Sequence, residues 1–216
     1  MVSIPLLKED SGDVLNEQGS SMFRILDSCI YALNYLYIIW AVYLLDSLIY
    51  TTTGFSLCNL GLLPRTTQGL IGIVTMPFLH GNNLHIIMNT IGLFSVVFVV
   101  ALETPFKQVN WIAVKITLLS GALLWLFGRS NGMHVGASAL IYGLTTYIAT
   151  IGITQQKIVF IAYTVFSILM GGSFILGLLP LDAHVSWEGH IAGAIAGVIV
   201  ALKVPTHDPH TASLDL

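Results

Sequence analysis

Apolar residues run almost unbroken through six stretches of the chain, with short polar segments between them. The stretches are Tyr31–Tyr50, Leu84–Leu102, Trp111–Phe127, Ser138–Ile153, Ile158–Leu178 and Trp187–Val204. Each approaches the roughly 20 residues that a helix needs to cross the hydrocarbon core of a bilayer. Lys115 interrupts the third, and Gly, Ser and Thr dilute the fourth. The pattern predicts an all-α, polytopic membrane protein, a bundle of six transmembrane helices over residues 29–204. Residues 1–28 and 205–216 read as terminal tails. The longest connection is Thr51–His80, where Gly61, Pro64 and Gly69 argue against one continuous helix. Within it, Leu70–Phe78 is apolar but too short to span and is expected to lie along the membrane interface.

Composition agrees with a chain dissolved in lipid: 55% of the 216 residues are hydrophobic and 9% are charged, against about 25% charged in soluble domains. The net charge of −3 argues against a nucleic-acid partner. Two cysteines, Cys29 and Cys58, make no disulfide framework, and no CxxC or Cys/His metal spacing occurs. No signal peptide precedes the first apolar run, because residues 8–20 are polar and acidic. With six spans, Lys8, Arg24, Lys107, Lys115, Lys157 and Lys203 fall on one side and Arg65 and Arg129 on the other. The positive-inside rule then places both termini in the cytoplasm of a cell-membrane protein.

Polar residues inside spans are expensive and usually face the protein interior. The second span opens with His80, His85 and Asn89. His85 and Asn89 are four apart and share one helix face. They suit either interhelical hydrogen bonding or chemistry. The fourth span starts at Gly136-Ala137-Ser138-Ala139. A lone serine in a membrane helix is usually packing, but a helix start offers free N–H groups and a positive dipole end. Gly136 permits an unusual backbone just before it, and Tyr142 follows one turn below on the same face. The sixth span carries His190 beside a stripe formed by Gly189, Gly193 and Gly197, which lets a partner helix come close. If that partner is the fourth span, His190 reaches Ser138. The set then holds a nucleophile, Ser138, a base, His190, and oxyanion donors from His85, Asn89 and the Ser138 N–H. The polar residues cluster near the outer ends of three spans, whereas a small transporter would spread them along a path. Asp46 is the exception, and is read as a hydrogen-bonding partner of the neighbouring loop. A zinc protease is disfavoured because no HExxH helix occurs.

These motifs resemble the rhomboid intramembrane serine proteases. The HxxxxHxxxN pattern is His80, His85 and Asn89. The GxSx pattern is Gly136 to Ala139, and the histidine followed by GxxxG is His190, Gly193 and Gly197. The resemblance runs from about Gly61 to Val204. It implies six helices around a Ser–His dyad in a cavity open to the outer face, no metal or nucleotide, and single-span membrane proteins as substrates, cut in or near the transmembrane segment. It also implies an aromatic at Tyr142 against the histidine, and a mobile loop containing Asp182 over the site. Two departures stand out. Ala139 replaces a common glycine, and the first loop lacks the Trp-Arg pair of some members. Inactive relatives, which bind transmembrane helices without cutting them, often lose the serine or histidine, and this chain keeps both.

Overall fold

A computed structural model of the protein describes residues 10–130, 132–170, 176–181 and 185–204. Their regular structure is helical: α1 (Asp10–Thr53), α2 (Gly72–Thr75), α3 (Asn83–Glu103), α4 (Phe106–Phe127), α5 (Ser138–Gln155), α6 (Ile158–Met170) and α7 (Trp187–Leu202). Among the described residues, three segments are long and apolar enough to cross a membrane, Ser21–Thr53, Asn83–Glu103 and Phe106–Phe127. The segments Ile158–Ile168 and Trp187–Leu202 are apolar but shorter.

The N-terminal boundary needs correction. Residues 10–28, expected as part of a tail, belong to α1. At 44 residues α1 is about 66 Å long, roughly twice the hydrocarbon thickness, so it runs well past any membrane it crosses. Its early part is docked: Ser28 is fully buried, and the Arg24 guanidinium donates to the carbonyls of Ala101 and Thr104, 2.5 and 2.7 Å away. Those carbonyls lie in and just after the last turn of α3, where orphan acceptors and the negative dipole end attract a cation. Higher along α1, Trp40 Nε1 donates to Thr90 Oγ1 on α3 at 3.0 Å, which explains an indole far from a span end.

The third expected span is α4, which begins at Phe106, five residues before the sequence boundary, behind Pro105. Proline is well tolerated at a helix start because the first N–H groups have no intrahelical partner. The fifth expected span reaches Met170 as α6, and residues 171–175 of it lie outside the described residues. Apolar side chains on the outer faces remain exposed, among them Leu44, Leu48, Ile91, Trp111, Phe127 and Phe166. Such a surface suits lipid and not water.

The connection from α1 to α3 folds against the end of α4. Asp46 Oδ1 accepts the Leu57 N–H at 2.6 Å and Oδ2 accepts Ser56 Oγ–H at 3.2 Å, tying the loop back to α1. Arg65 Nη1 donates to the Gly128 carbonyl at 2.7 Å, and Trp125 Nε1 donates to the Thr66 carbonyl at 2.9 Å. The apolar stretch 68–78 forms short helical turns with Met76 and Pro77 buried and Ile71 and Val74 exposed. Leu62, fully buried, makes an isolated antiparallel bridge with His134.

Candidate active site

Site residues come from the starts of α3, α5 and α7 and the loops that lead into them. Asn82 caps α3, its Oδ1 accepting the His85 N–H at 2.9 Å, so His85 sits in the first turn and Asn89 one turn later. Asn89 is buried, and its Nδ2 has no hydrogen-bond partner among the described residues. Unsatisfied buried donors are uncommon in folded proteins and call for an explanation.

Gly136 meets this pair. It has φ +111°, a backbone that L side chains rarely adopt, and its N–H donates to the Met76 carbonyl at 2.8 Å. A β-carbon there would collide with the His85 ring and lie 3.2 Å from Asn89 Nδ2. Two residues on, α5 begins at Ser138, which is half-buried. Its N–H is among the first-turn donors that have no partner inside a helix. No hydrogen-bond partner of Ser138 Oγ is found among the described residues.

His190 lies in the first turns of α7 and is 8% exposed. Its Nδ1 is 2.7 Å from the Gly177 carbonyl oxygen in the segment before α7. A carbonyl can only accept, so Nδ1 carries the proton and the neutral ring leaves Nε2 as acceptor. The Tyr142 ring stacks on the imidazole, centroids 4.1 Å apart and planes 5° from parallel. No hydrogen bond joins His190 to Ser138. What brings their two helices together is close backbone packing. A β-carbon at Gly193 would collide with the Ala139 carbonyl oxygen, and one at Gly197 with that of Gly143. Thr146 Oγ1 also donates to the Ala194 carbonyl at 2.8 Å. Thus α5 and α7 are in backbone contact immediately below Ser138 and His190.

His80 is 2% exposed, edge-on to His85 with centroids 5.2 Å apart. Burial, helped by the facing His85, pushes its pKa down to about 4, so it is neutral at physiological pH. The acidic residues are directed elsewhere. Glu188 faces Arg129, with Oε1 3.3 Å from Nε, and Asp46 holds the first loop. Asp182 lies outside the described residues. Two cavities, about 270 Å³ between α4 and α7 and about 460 Å³ between α1 and α4, are lined mainly by apolar side chains and touch neither Ser138 nor His190.

The sequence reading passed over His134 and Ser186. His134 is 5% exposed, with Nδ1 2.6 Å from Ser186 Oγ and Nε2 3.0 Å from the Arg129 carbonyl. The available signal was a histidine four residues before the serine of the GxSx motif, in a chain with only seven histidines.

Comparison with known proteins gives a consistent result. A family model described as the Rhomboid domain matches residues 67–206. An uncharacterized protein of Mycobacterium tuberculosis is 32% identical over 177 residues, covering 78% of this chain and 72% of its own length. One from Mycobacterium leprae is 30% identical over 197 residues, covering 84% of this chain and 73% of its own. The family match takes in the His80–His85–Asn89, Gly136–Ser138 and His190–Gly197 motifs alike. The chain belongs to the rhomboid family of membrane proteins.

Proposed function

We propose that the protein is an intramembrane serine endopeptidase that cuts single-span membrane proteins in or near their transmembrane segment. The family consists mostly of such proteases and includes inactive members, so the reading has to rest on this chain's own residues. One observation carries it: α5 and α7 touch at Ala139 and Gly193, adjacent to Ser138 and one turn beyond His190.

In the proposed reaction, His190 Nε2 takes the proton from Ser138 Oγ as Oγ bonds to the scissile carbonyl carbon. The tautomer set by the Gly177 carbonyl suits this step. The oxyanion receives hydrogen bonds from the Ser138 N–H, Asn89 Nδ2 and the His85 side chain. That Asn89 Nδ2 has no partner among the described residues supports that role. The protonated His190 then gives its proton to the leaving amine, and water, deprotonated in turn by His190, releases the acyl group from Ser138. Tyr142 and the Gly177 carbonyl orient the imidazole in place of the carboxylate of a triad. His80 supports His85 from behind.

The same reading places the chain as six spans in the cell membrane, both termini cytoplasmic. Basic side chains gather at two opposite ends of the helices, which favours it. Arg24 and Lys157 sit at the C-terminal end of α3, Lys157 paired with Glu103 at 3.8 Å, while Arg65 and Arg129 sit at the far end of α4.

The test is a fluorophosphonate probe on purified protein. Wild type should label covalently, and Ser138→Ala and His190→Ala should not. Equal labelling of wild type and Ser138→Ala removes the assignment. Absence of labelling and of cleavage in folded wild type makes the chain an inactive member.

A further inference from the structure

His134 and Ser186 occupy matching positions ahead of the two reactive residues. His134 lies four residues before Ser138, and Ser186 four before His190. Their side chains meet, Nδ1 to Oγ at 2.6 Å. The Ser186 carbonyl in turn accepts the His190 N–H at 3.1 Å, so the turn carrying Ser186 is the one on which His190 stands.

The histidine itself is held on every side. Its main chain exchanges two hydrogen bonds with Leu62, at 2.8 and 2.9 Å. One neutral tautomer satisfies the ring: Nε2–H donates to the Arg129 carbonyl, and the Ser186 hydroxyl donates to Nδ1. Burial pushes the His134 pKa down, in keeping with that neutral form. Beside it, Arg129 Nη2 donates to the Val185 carbonyl at 2.6 Å and Nε faces Glu188. The glycine contacts fix α5 against α7 below the reactive residues. The His134–Ser186 bond fixes the incoming segments above them.

We propose that His134 is a positioning residue whose bond to Ser186 sets the separation of Ser138 and His190. It acts by tying the loop that enters α5 to the turn that opens α7. The inference rests on the Ser–His reading above. Proton transfer from serine to histidine depends steeply on geometry, and a misplacement of about 1 Å can cost about 10²-fold in rate. A brace that only stabilised the fold would lower thermal stability and leave the turnover of folded protein unchanged.

The experiment uses the full chain in proteoliposomes, as wild type, His134→Ala, Ser186→Ala and the double variant. Three quantities are measured: the labelling rate of Ser138 by a fluorophosphonate, kcat and KM on a model single-span substrate, and thermal unfolding. Ser186→Ala removes one oxygen atom and decides the matter if His134→Ala folds poorly. Labelling rate and kcat should fall by about tenfold or more in each single variant, with KM little changed. The double variant should be no worse than the worse single one, because both delete the same bond. Wild-type labelling and kcat in folded Ser186→Ala overturns the proposal, as do losses that multiply in the double variant. If wild type labels while these variants match it, the protease reading stands and the tether alone falls. If wild type neither labels nor cleaves, both fall.

Discussion

Tyr142 lies flat against His190, with ring centroids 4.1 Å apart and planes within 5°. The imidazole is therefore held over one face by an aromatic ring and at one edge by the Gly177 carbonyl. Glu188, two residues before it, faces Arg129 instead. Tyr142→Ala is expected to lose more activity than Tyr142→Phe, because the ring supplies the packing surface. Glu188→Gln and Asp46→Asn should each keep substantial activity, while His190→Ala abolishes it. Cleavage of a reconstituted single-span substrate measures this. A well-folded Glu188→Gln or Asp46→Asn as inactive as His190→Ala would establish a triad.

Loss of either proposed oxyanion donor, Asn89 or His85, should be costly. Loss of one such donor typically costs about 10²–10³ in turnover. Asn89→Ala is expected at or below that range, since a backbone N–H and His85 remain, and His85→Ala should be at least as harmful. Rates for both variants equal to wild type, at matched protein concentration, would reduce the pair to interhelical packing.

Gly193 allows a close approach of α7 to α5 beside Ser138. Gly193→Ala puts a methyl into the Ala139 carbonyl, and the helices must separate. Overpacking of this kind usually costs about 1–3 kcal/mol. The expected outcome is a lower unfolding temperature together with a reduced kcat, since the contact lies next to Ser138. Ala at position 198, in place of the more exposed Val198 on the same helix, is the control and should change both much less.

Topology is tested with reporter fusions. Tags at the N-terminus and after Lys203 should report cytoplasm, and a tag near Gly61 the outside. A C-terminus outside would break the six-span reading and place Ser138 and His190 at different depths.

The Arg24 contact predicts that residues 21–28 are part of the folded unit. Arg24→Ala removes donors from the Ala101 and Thr104 carbonyls and should lower the unfolding temperature by a few degrees. No change on thermal unfolding would return this segment to the status of a tail.

Local pattern determined a good part of this protein. Near-continuous apolar runs announce helices in lipid, since only helices and closed barrels satisfy their backbones there. The spacing of His85 and Asn89 fixes a shared face whatever surrounds them, and Gly193 and Gly197 announce a close partner because a missing β-carbon has one obvious use. What local pattern could not supply was the far end of each long-range contact. Arg24 reads as an ordinary tail cation until the end of α3 is placed beside it, and nothing near Glu188 in sequence points to Arg129 as its partner. His134 and Ser186 lie 52 residues apart, and neither belongs to a periodic pattern. Their meeting depends on the loop before α5 being pinned to Leu62 and on α7 seating against α5. A hydrogen bond between two irregular segments leaves no trace in either one alone, because only the packing of the helices behind them decides their distance.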